Sequence, residues 1–158
     1  SDLIVKVKPD DGKLFYNSIE RQVKIVDIFS DKDSLKEGDT IYIQEPFSIS
    51  YLKGMESMSS EKGYVLMNSN QEYILFLKHL DKVDGYKYKG NEKMTYVPVS
   101  TRLSKYCRQE RPLLVNESKI DAGKLYYKDF KSTSAIFIND DEWNRYNAIA
   151  LKVYDKYR

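Results

Sequence analysis

The 158-residue sequence predicts a single, mainly β domain: an antiparallel barrel or strongly bent sheet with an α-helix at its C-terminal end. Apolar and polar residues alternate, with the period of two that is typical of strands, in several segments between residues 3 and 99. In one segment the apolar positions change face near Val26, which indicates the bulge by which a barrel strand bends. The last segment repeats its apolar residues at spacings of three and four, the period of an amphipathic helix.

The first three strands follow from the alternating pattern. Strand one begins at Leu3 and is expected to end in the turn Pro9–Gly12. The second covers Gln22–Phe29, and the third covers Thr40–Glu45 and stops at Pro46, which has no N–H to donate. The inward positions of all the predicted strands form the expected core, namely Val5, Val23, Ile25, Ile41, Ile43, Leu75 and Leu77.

The middle of the chain predicts a long connection followed by a meander. Residues 48–62 show no clear period and are interpreted as the connection. Strands are predicted at Gly63–Met67 and at Tyr73–Leu77, whose five consecutive apolar residues indicate a strand that is covered on both sides. Two further strands, Tyr86–Tyr88 and Met94–Val99, complete the barrel, and Pro98 belongs near the end of the last one.

The barrel is therefore assigned to residues 2–100 and an extension to residues 101–158. The extension is irregular up to residue 134, with Arg111-Pro112 as a breaker and a short strand at Leu125–Tyr127. Its helix covers about residues 140–157, where Asn139 or Asp140 can cap the N-terminus. One face of the helix is predicted to pack on the barrel through Trp143, Tyr146, Ala150, Val153 and Tyr157.

Composition excludes several classes of function. The 26 Lys and Arg residues nearly cancel the 24 Asp and Glu residues, and a net charge of +2 without basic blocks argues against a nucleic-acid partner. No apolar run approaches the roughly 20 residues of a transmembrane helix. The sequence begins at Ser1 without an initiator Met, so an upstream signal or lipid-anchor segment is compatible with it.

Four stretches of the chain resemble the netrin-like barrel, related to tissue inhibitors of metalloproteases and of OB type, that is found in lipoproteins and surface proteins of Gram-positive bacteria. They are Asp2–Val7, Gln22–Phe29, Leu35–Ile43 and Asn70–Leu77. The resemblance implies an OB-like fold and a secreted or cell-surface location, with anchoring to the membrane by an upstream lipidated segment. It covers packing residues, so it implies no site residue. Family members that inhibit metalloproteases present an N-terminal cysteine, where this chain has Ser1.

Two residues are candidates for catalysis. His79 could act as a general base and Cys107, between Tyr106 and Arg108, as a nucleophile, which together would make a Cys-His hydrolase. The bland alternatives are a structural histidine at a strand end and a buried cysteine that packs as a small apolar residue. Because nothing else in the sequence supports a dyad, no catalytic residue is assigned.

Acidic turns are candidates for a cation site. Asp31, Asp33, Glu37 and Asp39 supply the oxygen atoms that Ca²⁺ prefers, but Leu35 occupies a liganding position of the EF-hand pattern. A solvated turn is the favoured interpretation, and neither a metal nor a cofactor is expected.

The fourteen tyrosines suggest a binding surface. Tyr42, Tyr86, Tyr88 and Tyr96 are predicted to point outward from strands, where their rings could stack on a ligand. The expected function is therefore a non-catalytic, extracellular or cell-envelope binding module with an unidentified protein or envelope ligand. The alternatives are an oligonucleotide-binding barrel and the Cys-His hydrolase.

Overall fold

The computed structural model describes residues 1–15, 18–52, 55–121 and 126–158. Strands hold more of these residues than helices do, and they are followed by a long C-terminal helix. The strands are β1 Leu3–Phe15, β2 Ser18–Asp31, β3 Thr40–Glu45, β4 Phe47–Leu52, β5 Met55–Ser60, β6 Tyr73–His79, β7 Thr95–Pro98, β8 Lys105–Tyr106, β9 Arg111–Leu114 and β10 Thr133–Phe137. The α-helices are α1 Glu117–Asp121, α2 Tyr127–Phe130 and α3 Asp140–Lys156, and 3-10 turns cover Glu61–Gly63 and Gly90–Met94.

Five strands close into a barrel in the order β1-β2-β3-β7-β6, and β6 pairs back onto β1. The closing pair is antiparallel and places Leu3 opposite Leu77. The barrel is antiparallel except between β3 and β7, which run parallel. The predicted OB-like barrel with a helical C-terminal extension is thus confirmed, with one parallel pair in place of a fully antiparallel sheet.

The predicted bulge is present at Val26. Lys6 pairs with Asp27 and Val7 pairs with Ile25, so Val26 has no partner on β1. The turn predicted at Pro9–Gly12 is wrong, because β1 continues to Phe15 and the register with β2 shifts between Pro9 and Gly12 instead. Turn-forming residues here bend a strand without ending it.

Three predictions for the middle of the chain are wrong, one of them the strand at Tyr86–Tyr88, which lies in the loop between β6 and β7. The segment 48–62 is not a plain connection, since β4 and β5 form an antiparallel hairpin there. Gly63–Met67 is not a strand, because Lys62 and Gly63 adopt left-handed φ angles of 48° and 76° that turn the chain. A single bridge, Tyr64 to Ala135, is formed in that segment.

The main core lies inside the barrel and contains all seven predicted core residues. Tyr73, Met67 and Cys107 are buried with them. The Tyr73–Leu77 strand is covered on both sides as predicted, since Leu75 and Leu77 face this core while Ile74 and Phe76 face the packing layer under α3. At this strand the outer side of the barrel wall is therefore covered by the C-terminal extension.

The extension contains more structure than the sequence indicated. Arg111-Pro112 does not break the chain but begins β9, which pairs in parallel with β10. Of the predicted strand at Leu125–Tyr127, Leu125 lies outside the described residues and Tyr127 begins α2. Trp143 donates from its indole nitrogen to the carbonyl of Pro112 at 3.3 Å, which links α3 to β9.

Helix α3 docks on the outside of the barrel, as predicted. Asn139 caps it, because its side chain accepts hydrogen bonds from the backbone of Asp141 and Glu142. Tyr146, Ala150 and Val153 are buried in this contact. Their partners on the barrel include Ile4, Ile74, Phe76 and Tyr106. Among the described helices none is long and apolar enough to cross a membrane.

Candidate functional site

A cleft lies between β3 and β7 at one end of the barrel. The two strands pair only through Tyr42 with Thr95 and Ile43 with Tyr96. Beyond that point β7 stays with β6, where Pro98 pairs with Leu77. Among the described residues no bridge joins β3 to β7 past Ile43, and the strands diverge.

The cleft has a volume of about 560 Å³. One wall is formed by the end of β3, with Gln44 and Pro46, and the other by residues 97–101. Val99 offers an apolar surface there that is 42% exposed. Glu61 and Lys62 of the 3-10 turn after the hairpin complete the lining, so the cleft combines apolar, hydroxyl and charged groups.

Lys62 is the residue that connects this cleft to a neighbouring basic pocket. The basic pocket has a volume of about 240 Å³, and its charged lining consists of Lys62, Arg102, Glu142 and Arg145. The Lys62 backbone is left-handed, which is uncommon for a residue with a side chain. The next residue must be glycine, because a Cβ on Gly63 would lie 2.2 Å from the carbonyl oxygen of Ile136.

One cation of the basic pocket is fixed by its neighbours. Arg102 forms an ion pair with Glu142 and lies over the ring of Phe137, 5.5 Å from its centroid. Arg145, on the same helix as Glu142, forms no ion pair within the described parts of the chain, and neither does Lys62. Two exposed cations thus border the pocket without a partner charge.

Beneath the cleft, a buried ion pair fixes the end of β3. Arg21 donates from Nε to Oε1 of Glu45 at 2.8 Å, and both side chains are almost fully buried. The second oxygen of Glu45 accepts from the hydroxyl of Tyr64 and the backbone of Met67. Gly12 makes room for the pair, because a Cβ at that position would meet Arg21 Cζ at 3.0 Å. The carboxylate is fully engaged inside the protein.

A second buried polar group lies next to the first. Lys105 donates to the carbonyl of Val65 and lies over the rings of Tyr64 and Tyr73. Burial lowers the pKa of Lys105, and the nearby carboxylates of Glu110 and Glu45 act against that shift. Burial also raises the pKa of Glu110, which accepts a hydrogen bond from Tyr73 at 2.6 Å. These groups support the barrel end, since the pockets described above do not include them.

Of the four tyrosines predicted to form a binding surface, Tyr86, Tyr88 and Tyr96 belong to one group of rings around His79, and Tyr42 is not among the ring contacts of that group. Tyr42 alone points outward from a strand, between the core residues on either side of it. Tyr86 and Tyr88 lie in the loop between β6 and β7 and not in the predicted strand, where their hydroxyls are bound to Glu92 and to the Leu80 carbonyl. Tyr96 is fully buried and donates to Asp33, so the prediction that it points outward is wrong.

His79 joins this aromatic group and lies far from Cys107. Its ring is 4.8 Å from that of Tyr96, and Nε2 donates to the carbonyl of Lys93 at 2.7 Å. Cys107 follows β8, which pairs with Ile74 through Tyr106. Five residues of strand separate Ile74 from His79, a distance of roughly 16 Å. The two candidate catalytic residues therefore do not form a dyad.

The thiol of Cys107 is buried, and burial raises its pKa. A raised pKa removes the thiolate that nucleophilic chemistry requires. The side chain belongs to the barrel core, which agrees with the bland interpretation of this residue.

The carboxylates of the acidic turn serve the turn itself. Asp31 accepts from the backbone of Asp33 and Leu35, and Asp39 accepts from the backbone of Lys36. Asp33 is bound by Tyr96. Within the described residues no group of three or more His, Cys, Asp or Glu side chains is arranged to hold a metal ion.

The outer face of β1–β3 is the third surface of interest. A shallow groove of about 290 Å³ crosses it, lined by Lys8, Gln22, Lys24 and Thr40 among others. Tyr42 is the outward aromatic residue of β3 on this face. OB barrels that bind oligonucleotides use the corresponding strands, with several stacked rings and a basic groove.

The charged residues under and around the cleft were not identified from the sequence. A signal existed for the buried pair, because Arg21 and Glu45 occupy the same inward parity as Val23 and Ile43 on adjacent strands. Opposite charges at two inward positions of neighbouring strands indicate a buried ion pair. Lys62 and Arg145 carry no comparable signal, since only the folded structure brings the 3-10 turn Glu61–Gly63 next to α3.

Comparison of the chain with known protein families, with curated proteins and with solved structures found no match. Function must therefore be argued from the geometry of the cleft and the surfaces beside it.

Proposed function

We propose that this protein is a non-catalytic binding module that holds an extended segment of a partner protein in the cleft between β3 and β7. The observation that carries the proposal is the divergence of the two strands after Ile43 and Tyr96. It opens a cleft of about 560 Å³ in a barrel that is otherwise closed. Binding sites are concave surfaces, and the mixed lining of this cleft, with four apolar residues among polar and charged ones, suits the mixed surface of a peptide.

The absence of catalysis is supported by what the reactive groups do. His79 is committed to a backbone carbonyl, and the Cys107 thiol is buried. The Glu45 carboxylate is saturated by three donors. In the described chain, His79 and Cys107 do not line the cleft, and Glu45 lies at its base. All three side chains support the fold.

We further propose that the domain acts outside the cell or in the cell envelope, tethered by a lipidated segment that precedes Ser1. What supports this location is the resemblance of four sequence stretches within residues 2–100 to the netrin-like barrels of bacterial lipoproteins. Metabolic labelling of the full-length protein with a palmitate analogue, followed by cell fractionation, tests it. Labelled protein in the membrane fraction is expected, and unlabelled protein in the cytoplasm would contradict the location.

A peptide selection tests the cleft directly. Random short peptides displayed on phage are selected on the wild-type domain, and the affinity of the enriched peptides is measured by fluorescence polarisation. Val99→Asp places a charge on the apolar wall and should weaken binding at least about tenfold. Val83→Asp is the matched control, because Val83 is 77% exposed and lies outside the cleft. Equal affinity for all three proteins would exclude the cleft as the binding site.

The oligonucleotide-binding alternative has one observation in its favour, the basic groove beside Tyr42 on β1–β3. It is the weaker candidate, because Tyr86, Tyr88 and Tyr96 do not belong to the β1–β3 surface that carries this groove. Titration with single-stranded DNA decides it: salt-sensitive binding that Tyr42→Ala weakens by about 1–3 kcal/mol would replace the peptide proposal.

A further inference from the structure

The basic pocket at the end of the cleft gives the bound segment a chemical identity. Three cations and a single carboxylate form its charged lining, and the carboxylate of Glu142 is already paired with Arg102. Lys62 and Arg145 therefore supply positive charge that the described part of the protein does not neutralise. An anionic group that enters this pocket would replace solvent around both cations.

The cleft and the basic pocket form one path. Lys62, Ser100 and Thr101 line both of them, whereas Arg102 and Arg145 line the basic pocket alone. Residues 97–99 line the cleft alone, so their apolar surface and the arginines lie in different parts of the path. A ligand with an apolar part and an anionic end matches this division.

We infer that the ligand is an acidic peptide segment whose apolar side chains lie against residues 97–99 and whose carboxylate binds between Lys62 and Arg145. This inference rests on the proposed function. The mixed lining favours a peptide over other polyanions, because Val97, Pro98 and Val99 require apolar side chains as partners. Arg145 can hold a carboxylate through two parallel N–H donors, which is the geometry that guanidinium groups favour.

The pose is supported by the rigidity of its surroundings. Arg102 is held in place by Glu142 and by the ring of Phe137, and it forms a fixed wall beside Arg145. Gly63, which follows Lys62, lies in close approach to β10. A site that is already ordered loses less conformational entropy when the ligand binds.

The experiment compares peptide selections on four proteins: wild type, Arg145→Glu, Lys152→Glu and Val99→Asp. Lys152 is exposed on the same helix and lines neither the cleft nor the basic pocket, so its reversal changes the net charge equally. Selections on wild type and Lys152→Glu should enrich Asp or Glu at one end of the motif. Selection on Arg145→Glu should lose that preference.

The affinities of an enriched peptide and of its Asn- or Gln-substituted counterpart are then measured by fluorescence polarisation. Wild type should bind the acidic form about tenfold more tightly, and Arg145→Glu should bind both forms equally. Peptides that depend on Val99 but show no acidic preference would overturn this inference and leave the proposed cleft intact. Loss of any dependence on Val99 would overturn the cleft itself. Displacement of the peptide by polyphosphate at lower concentrations than by the free acidic peptide would identify a different polyanion as the ligand.

Discussion

Glu45 lies opposite Ile19 in the barrel ladder and has no exposed surface, yet its carboxylate accepts a hydrogen bond from Arg21 at 2.8 Å. The pair joins β2 to the end of β3 at the point where the cleft opens. The ion pair therefore contributes both to the stability of the barrel and to the shape of the proposed site.

Removing the cation of this pair should be costly. Arg21→Met leaves the Glu45 carboxylate buried without a counter-charge, which costs about 3–5 kcal/mol of unfolding free energy. The double variant Arg21→Met, Glu45→Gln removes the stranded charge and should lose less than the single variant. Urea denaturation of the three proteins measures both differences. A double variant that is less stable than Arg21→Met would show that the Glu45 carboxylate stabilises the fold without its ion pair to Arg21.

The contact between α3 and the barrel should depend mainly on Tyr146. Its ring stacks on Tyr106 at 5.5 Å and its hydroxyl donates to the carbonyl of Lys105, whereas Trp143 is only partly buried. We expect Tyr146→Ala to cost about 3–5 kcal/mol and Trp143→Ala roughly half as much. Leu151→Ala on the exposed face of α3 should cost less than about 0.5 kcal/mol. Equal losses at Trp143 and Tyr146 in equilibrium denaturation would contradict this order.

The left-handed backbone of Lys62 should lower the stability of the protein, while its side chain is proposed to contribute to binding. Its left-handed backbone is unfavourable for a lysine and natural for a glycine, so Lys62→Gly should raise the unfolding free energy by about 0.5–1 kcal/mol. Lys62→Ala removes the same cation without relieving the backbone, and it serves as the control. Thermal or urea denaturation distinguishes the two. A Lys62→Gly variant no more stable than Lys62→Ala would mean that the backbone of Lys62 is not strained.

Glu110 should make stability depend on pH. Burial raises its pKa above the ordinary value of 4.5, so the folded protein holds this proton more tightly than the unfolded chain does. The stabilisation from this group is complete below pH 4.5 and is lost as the pH rises through the raised folded pKa. Because Glu110→Gln cannot ionise, its stability relative to wild type should increase with pH over that window. Urea denaturation at a series of pH values tests the slope, and a constant difference would contradict the shift.

Cys107 should be inert in the native protein. The thiol is buried and its pKa is raised, so little thiolate exists and little of it is accessible. We expect negligible reaction with Ellman's reagent under native conditions and complete reaction in denaturant. Rapid labelling of the folded protein would show that the thiol is exposed and would reopen its assignment as a nucleophile.

The sequence carries the local features of this fold. All seven core positions predicted from the alternation are buried in the barrel, and the change of parity located the bulge at Val26, because burial of one strand face is read directly from residue type. The same reasoning failed at Gly63–Met67. There Tyr64, Val65 and Met67 are buried in three different clusters and not by a strand ladder, and Gly63 at the left-handed turn before them lies against the distant Ile136 carbonyl.

The candidate site was less accessible to sequence analysis, for a physical reason. The tyrosines were candidates because of their number. Tyr96, however, occupies an inward position next to Ile43, and its hydroxyl donates a hydrogen bond to Asp33. The cleft instead results from two strands that diverge and from a turn, a loop and a helix that meet beside them. Such a convergence depends on long-range contacts, and no residue pattern of one segment records it.

The closing pair of the barrel also constrains how the chain folds. On one edge of β1 Leu3 pairs with Asp31, and on the other it pairs with Leu77, so the β1–β2 hairpin can form early but the cylinder cannot close until β6 has left the ribosome. Until then the second edge of β1 presents unpaired backbone groups, the condition in which strands join those of other chains. Docking of α3 comes later still, since its contact surface on β6 and β8 does not exist before closure. Efficient folding of this protein should therefore be limited by a late, long-range step and should be sensitive to chaperones that cover strand edges.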